Sequence, residues 1–124
     1  MATILVVEDE GDIRELLVVT LRFYGHEVYT GCDGEEALPL TRQTHPELIL
    51  MDVRMPNLDG YAACRQIRSD PSTSHTPVVF ITARGQDAEV AAGYETGAEG
   101  YILKPFSPVD LVRDVEKHLH KAVH

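Results

Sequence analysis

Tryptophan is absent from this 124-residue chain, and aromatic residues are few: five Tyr and three Phe. Cysteine is scarce as well. Cys32 and Cys64 are too few for a disulfide framework and lack metal-ligand spacing. No apolar run approaches the ~20 residues that a membrane-spanning helix needs. The opening residues MATILVVEDE carry no basic region and no small-residue cleavage site, so no signal peptide is visible. The compartment expected is therefore the cytoplasm, with both thiols reduced. Basic residues are the minority, 11 against 20 acidic, for a net charge of −9. Such a surface is a poor ligand for nucleic acid or an anionic membrane. What remains, 44% hydrophobic and 25% charged, is the composition of a soluble globular protein. The length suits one domain over 1–124, able to bury roughly two-thirds of its unfolded surface.

Five short apolar runs punctuate the chain: Ile4-Leu5-Val6-Val7, Glu27-Val28-Tyr29-Thr30, Leu48-Ile49-Leu50-Met51, Val78-Val79-Phe80-Ile81 and Gly100-Tyr101-Ile102-Leu103. The first, third and fourth do not alternate, which fits strands covered on both faces. The second is mixed and reads as an edge. Helical spacing lies between the runs. Ile13, Leu16, Leu17 and Leu21 predict one buried stripe over about 12–24. Asp33 with Glu36 predicts a capped helix start, and Pro39, about one and a half turns in, predicts a kink. Leu58 to Arg68 predicts a third helix burying Ala62, Ala63 and Ile67, and Gln86 to Glu95 a weaker fourth. Ser107 and Pro108 open a fifth, with Leu111, Val112, Val115 and Leu119 as its stripe. Strand and helix alternate five times, the pattern of an α/β fold with a parallel sheet and helices on both faces.

The strand ends collect the chemistry. The first strand runs into Glu8-Asp9-Glu10, the third ends at Asp52, the fourth at Thr82, the fifth at Lys104-Pro105. Open parallel sheets bind ligands beyond the carboxyl ends of their strands. A strand order 2-1-3-4-5 would set Asp9 one strand spacing, ~4.8 Å, from Asp52. Carboxylates that close repel unless a cation lies between them, and an all-oxygen set suits Mg²⁺. Lys104 can reach in as a mobile charge, Thr82 offers a hydroxyl, and Asp can act as a nucleophile. Each residue alone has a plainer reading. Glu8-Asp9 can cap the next helix, Asp52 can be satisfied by a helix N-terminus, Thr82 by its strand, Lys104 by solvent, and Tyr101 can be a half-buried packing residue. The joint pattern is far more specific than any member.

VVEDE, LILMDVRMPNLDGY, VVFITARG and GAEGYILKPF, in this order over the whole chain, resemble the receiver domain of two-component response regulators. The resemblance implies a flavodoxin-like, doubly wound (βα)₅ sandwich with a five-stranded parallel sheet in order 2-1-3-4-5. It implies Asp52 as phosphoacceptor, and a Mg²⁺ site, open to Mn²⁺ in its place, made by Glu8, Asp9, Asp52 and the main-chain carbonyl of Arg54. Thr82 becomes the switch hydroxyl, Tyr101 the switch aromatic and Lys104 the phosphate-binding lysine. The Lys104–Pro105 bond is expected to be cis, and Arg54 and Arg84 to tune phosphoryl lifetime. The implied donor is a phosphohistidine on a histidine kinase or phosphotransfer protein. The implied output is a changed face of the fourth helix, fifth strand and fifth helix, acting on a protein partner, an output domain or a second copy. Such a chain is not an enzyme beyond its own phosphorylation and slow dephosphorylation. Its surroundings depart from the winged-helix subgroup, which often has an acidic residue where Gly100 stands and basic ones where Asp114 and Glu116 stand. The loop RSDPSTSHTP looks more like that of stand-alone regulators, hybrid-kinase receivers or cyclase receivers.

Three rival readings fit less well. A dehalogenase-like phosphatase wants D-x-D after the first strand, where Glu8-Asp9-Glu10 stands. A flavin module needs a hydroxyl- and Gly-rich phosphate loop there, and the acidic run would repel FMN. A phosphorylation-independent interaction domain commonly loses one of the acid, Asp or Lys positions, all of which are present.

Overall fold

The computed structural model describes residues 1–83 and 97–123. Five strands, β1 (Thr3–Val7), β2 (Glu27–Gly31), β3 (Leu48–Asp52), β4 (Val78–Ala83) and β5 (Gly100–Lys104), form one sheet in the order β2-β1-β3-β4-β5. Every neighbouring pair is parallel. The expected strands are thus all present, with ends moved by one or two residues, and β2 is an edge as its mixed composition predicts. β3 is buried along its whole length, because helices cover both faces of the central strands.

Side-chain alternation divides the core in two. Ile4, Val6, Leu48, Leu50, Val79, Ile81 and Ile102 face α1 (Gly11–Phe23) and the C-terminal helix (Pro108–Val123). Leu5, Val7, Ile49, Met51, Val78 and Phe80 face α2 (Ala37–Thr44) and α3 (Gly60–Ser69). The period of two along each strand makes this division automatic. Two of these helices, α3 and the C-terminal one, start on side-chain caps worth about 1 kcal/mol each. Asp59 accepts from the Ala62 amide at 2.8 Å, and Ser107 Oγ from the Asp110 amide at 3.1 Å.

Some expectations are corrected. Asp33 does cap, accepting from the Glu35 and Glu36 amides, but it caps a 3₁₀ turn (Gly34–Glu36) that precedes α2. Pro39 therefore falls in the first turn of α2, where its missing N–H costs no helical hydrogen bond. Leu16 is 42% exposed rather than part of the buried stripe, because Leu17 and Leu21 point at the sheet while Leu16 turns outward. Ala62 is half-buried, and Cys64 fills the place beside Ala63 and Ile67 instead. The helix expected over 86–95 lies outside the described residues, as does Arg84.

Candidate functional site

The same alternation builds the site. Glu8 continues the Ile4–Val6 row of β1, Asp52 the Leu48–Leu50 row of β3, and Lys104 follows Ile102 on β5. Each is the next inward residue on one face, displaced past the end of the packed core. Glu8 is fully buried and Asp52 only 5% exposed, while Asp9 stands open to solvent. Carboxylate oxygens of Glu8, Asp9 and Asp52 lie within 4.8 Å of one another. Lys104 Nζ sits 3.3 Å from Glu8 Oε1 and 3.5 Å from Asp52 Oδ2.

Tight backbone packing fixes Asp52. The Gly60 amide donates to the Val53 carbonyl at 2.8 Å. A Cβ on Gly60 would lie 2.3 Å from the Asp52 carbonyl oxygen, so the start of α3 tolerates only glycine here. In front of the acids, Asp9, Val53, Arg54, Met55, Asp59 and Tyr61 line a cleft of about 410 Å³.

Charge crowding has a clear consequence. The Glu8 carboxyl is pushed up to about 8, first by burial and then by its hydrogen bond to Asp52 and the negative charge of Asp52. The Glu10 amide and Lys104 pull the other way without prevailing. Burial works against the charge on Lys104, yet attraction to Asp52 and Glu8 outweighs it and raises the ammonium above its ordinary value.

Thr82 is buried on β4 and shares the parity of Val78 and Phe80. Tyr101, directly opposite Phe80 in the β4–β5 register, is half-buried against the same cluster, with ring centroids 5.6 Å apart. Thr82 and Tyr101 thus share one face of the sheet. The Lys104–Pro105 bond is cis. Arg54 is exposed at the cleft.

One residue at the site was missed by sequence reasoning. Arg14, on α1, donates from Nη1 to the Glu8 carbonyl at 2.8 Å. The available signal was a cation near a helix N-terminus, where the macrodipole disfavours it and a local acceptor is needed.

The model of the response regulator receiver domain matches residues 4–116. The chain belongs to the response regulator receiver domain family. It is 43% identical over 118 residues to the probable transcriptional regulator ycf27 of Cyanophora paradoxa, an alignment covering 95% of this chain and 48% of that protein. The chain spans about half the length of the curated relatives it matches. A putative response regulator from Chloroflexus aurantiacus superimposes with a TM-score of 0.91 at 38% identity, covering 96% of this chain and 98% of that one. Chemotaxis response regulator CheY4 of Vibrio cholerae gives 0.89 at 32% identity, covering 94% and 98%. The fold is accordingly the flavodoxin-like one of CheY.

Receiver domains bind Mg²⁺ in an acidic pocket, and this one has the donors for it. The set is all oxygen, as a hard cation prefers. Glu8 Oε1 is buried without a well-aligned hydrogen bond and has the Lys104 ammonium 3.3 Å away, so it is an oxygen already set to face a cation. Gly100, Asp114 and Glu116 are each accounted for by neighbours inside this receiver domain. A Cβ at Gly100 would meet His118 Cε1 at 2.5 Å. Asp114 lies 3.8 Å from Arg113, and Glu116 accepts from buried His26 at 3.0 Å. No helix among the described residues is long and apolar enough to cross a membrane.

Proposed function

We propose that residues 1–124 form a single phosphorylatable receiver of a two-component or phosphorelay system, working in the cytoplasm. Asp52 accepts a phosphoryl group from a phosphohistidine on a histidine kinase or phosphotransfer protein. The observation that carries this reading is the buried Asp52 carboxylate, set among other acids with an ammonium 3.5 Å away.

In the transfer, a carboxylate oxygen of Asp52 attacks phosphorus in line. The P–N bond to the donor imidazole breaks, its electron pair leaves with the imidazole, and an acyl phosphate remains on Asp52. Lys104 exchanges its carboxylate partners for the phosphoryl oxygens, where charge is spread in the transition state. Glu8, Asp9, Asp52 and the Arg54 carbonyl would hold Mg²⁺ or Mn²⁺, which neutralises phosphoryl charge when bound. An apolar groove lined by Ile13, Leu16, Pro105 and Phe106 opens beside Lys104 and suits the segment that bears the donor histidine.

The acyl phosphate then draws the Thr82 hydroxyl inward and Tyr101 rotates into the space left. The shared face of these two residues supports that coupling. The reshaped surface around β5 and its flanking helices acts on a protein partner, an output domain, or a second copy in a phosphorylation-dependent dimer. The chain performs its own phosphorylation and slow dephosphorylation and no other catalysis.

Acetyl phosphate with Mg²⁺ tests the reading. One phosphoryl group should appear on Asp52, require the metal, and vanish in Asp52→Asn. Its recovery on Asp59 or Asp70 by peptide mass spectrometry would refute the assignment.

A further inference from the structure

We infer that Arg14 is a positioning residue for Asp9, an assignment that rests on the cluster of Glu8, Asp9 and Asp52 being a divalent-cation site. Asp9 is the exposed acid of the three, so packing does little to aim it. Its backbone is held instead from both sides. On one side, the Glu8 carbonyl, part of the Glu8–Asp9 peptide, accepts from Arg14 Nη1 at 2.8 Å. On the other, the Glu10 amide donates to Glu8 Oε2 at 3.2 Å. The Arg14 amide also closes the first turn of α1 on the Glu10 carbonyl at 2.9 Å. Arg14 therefore ties the β1–α1 turn to the helix through backbone and side chain together. That fixes the direction in which Asp9 leaves the turn.

The sign of the effect separates this role from simpler ones. A cation near three carboxylates competes with a bound divalent ion, so charge alone predicts that removing Arg14 strengthens Mg²⁺ binding. A positioning role predicts the reverse, because a metal ligand that loses its supporting hydrogen bond typically costs at least about tenfold in affinity.

Two measurements on the full chain decide it. Calorimetric titration of the parent, Arg14→Ala and Arg14→Lys with MgCl₂ should show about tenfold weaker binding in Arg14→Ala. Arg14→Lys, which keeps a donor and the charge, should recover part of that loss. Amide hydrogen exchange of the metal-free proteins should be faster at Glu10 in Arg14→Ala and unchanged at Glu8, whose amide is held by the Gly31 carbonyl at 3.1 Å. Tighter Mg²⁺ binding in Arg14→Ala would overturn the inference in favour of a charge effect. Unchanged affinity with a lower melting temperature would overturn it in favour of a purely structural arginine. If Arg14→Ala does not fold, the Arg14→Lys titration and exchange carry the same comparison. A parent that binds no Mg²⁺ would sink the metal reading, and the exchange measurement would still judge Arg14's hold on the turn.

Discussion

Lys104 Nζ stands 3.3 Å from Glu8 Oε1, the acid furthest from solvent, and works against the burial that keeps that acid protonated. Its other contact, Asp52, is the proposed nucleophile. Lys104→Met should leave the Asp52 carboxylate uncompensated. Breaking a buried ion pair on one side costs about 3 kcal/mol. Chemical denaturation of the metal-free variant should show a loss of that size, and acetyl phosphate should no longer label it. Mg²⁺ at about a hundred times its Kd should restore about 2.7 kcal/mol by binding the folded state. A Lys104→Met protein as stable as the parent in EDTA would show that the lysine is solvated instead.

Glu8 gives the metal-free domain a distinctive pH dependence. Its carboxyl is raised from 4.5 to about 8, first by burial, so the folded state holds a proton that the unfolded chain has lost. Between these values the folded state binds more protons, and stability falls as pH rises. The contribution is whole below about 4.5 and gone once pH passes about 8. Urea titrations in EDTA from pH 5 to 9 should therefore show declining stability, and Glu8→Gln should flatten the decline. Mg²⁺ competes with that proton, so its affinity should increase over the same interval. A parent curve that rises from pH 5 to 9 in EDTA would contradict the shift.

Asp52→Asn should stabilise the metal-free protein while abolishing phosphorylation. Asp52 raises the Glu8 carboxyl through its hydrogen bond, which the asparagine oxygen can still accept, and through its charge, which Asp52→Asn removes. Each unit of the charge effect is worth ~1.4 kcal/mol between the two protonation states. The loss of attraction to Lys104 opposes the gain, but Lys104 keeps Glu8 as a partner. A melting temperature several degrees above the parent's in EDTA at pH 9, where Glu8 is ionised, is the expected result. A clear fall would show that Asp52 is held by its lysine more strongly than it is repelled by its neighbours.

Gly60→Ala pits helix propensity against close packing. Alanine gains about 1 kcal/mol over glycine inside a helix. Here the new methyl meets the Asp52 carbonyl oxygen at 2.3 Å, a backbone atom of a buried strand that cannot turn aside. Overpacking of that kind costs about 1–3 kcal/mol or more, so the net effect should be destabilising. Because the displaced atom belongs to the proposed phosphoacceptor, the labelling rate at saturating Mg²⁺ should fall as well. A variant matching the parent in both respects would show that α3 can shift freely.

The sequence makes the sheet and its acid–lysine end legible for one reason. Strand periodicity places every second residue on one face, so Ile4–Val6–Glu8 and Leu48–Leu50–Asp52 announce both the core and where it stops. Helix detail is less legible. Leu16 and Leu17 are equally apolar, and only the angle at which α1 meets the sheet decides that Leu17 is buried. Pro39 misleads because a 3₁₀ turn before α2 moves the helix start, which composition does not encode. Arg14 escapes notice because its partner is a backbone carbonyl, and carbonyls leave no mark in a sequence.

The lifetime of the aspartyl phosphate is expected to depend on two arginines. Arg54 follows Asp52 by two residues and is exposed where it lines the cleft in front of the acids. Arg84 follows Thr82 by two residues in the sequence and lies outside the described residues. A guanidinium can donate paired hydrogen bonds to phosphoryl oxygens, and its bulk obstructs the line along which water must attack. Mutual repulsion opposes engagement of both at once, but the doubly charged phosphoryl group offsets it. Excluding a water approach worth ~1.4 kcal/mol slows hydrolysis about tenfold. Arg54→Asn with Arg84→Glu replaces groups that exclude water with groups that can orient it. Decay of the label, followed after removal of acetyl phosphate, should be about tenfold faster in the double variant. The two single variants then apportion the effect, and Arg54→Asn alone should account for part of it. An equal or longer half-life in the double variant would show that neither guanidinium shields Asp52.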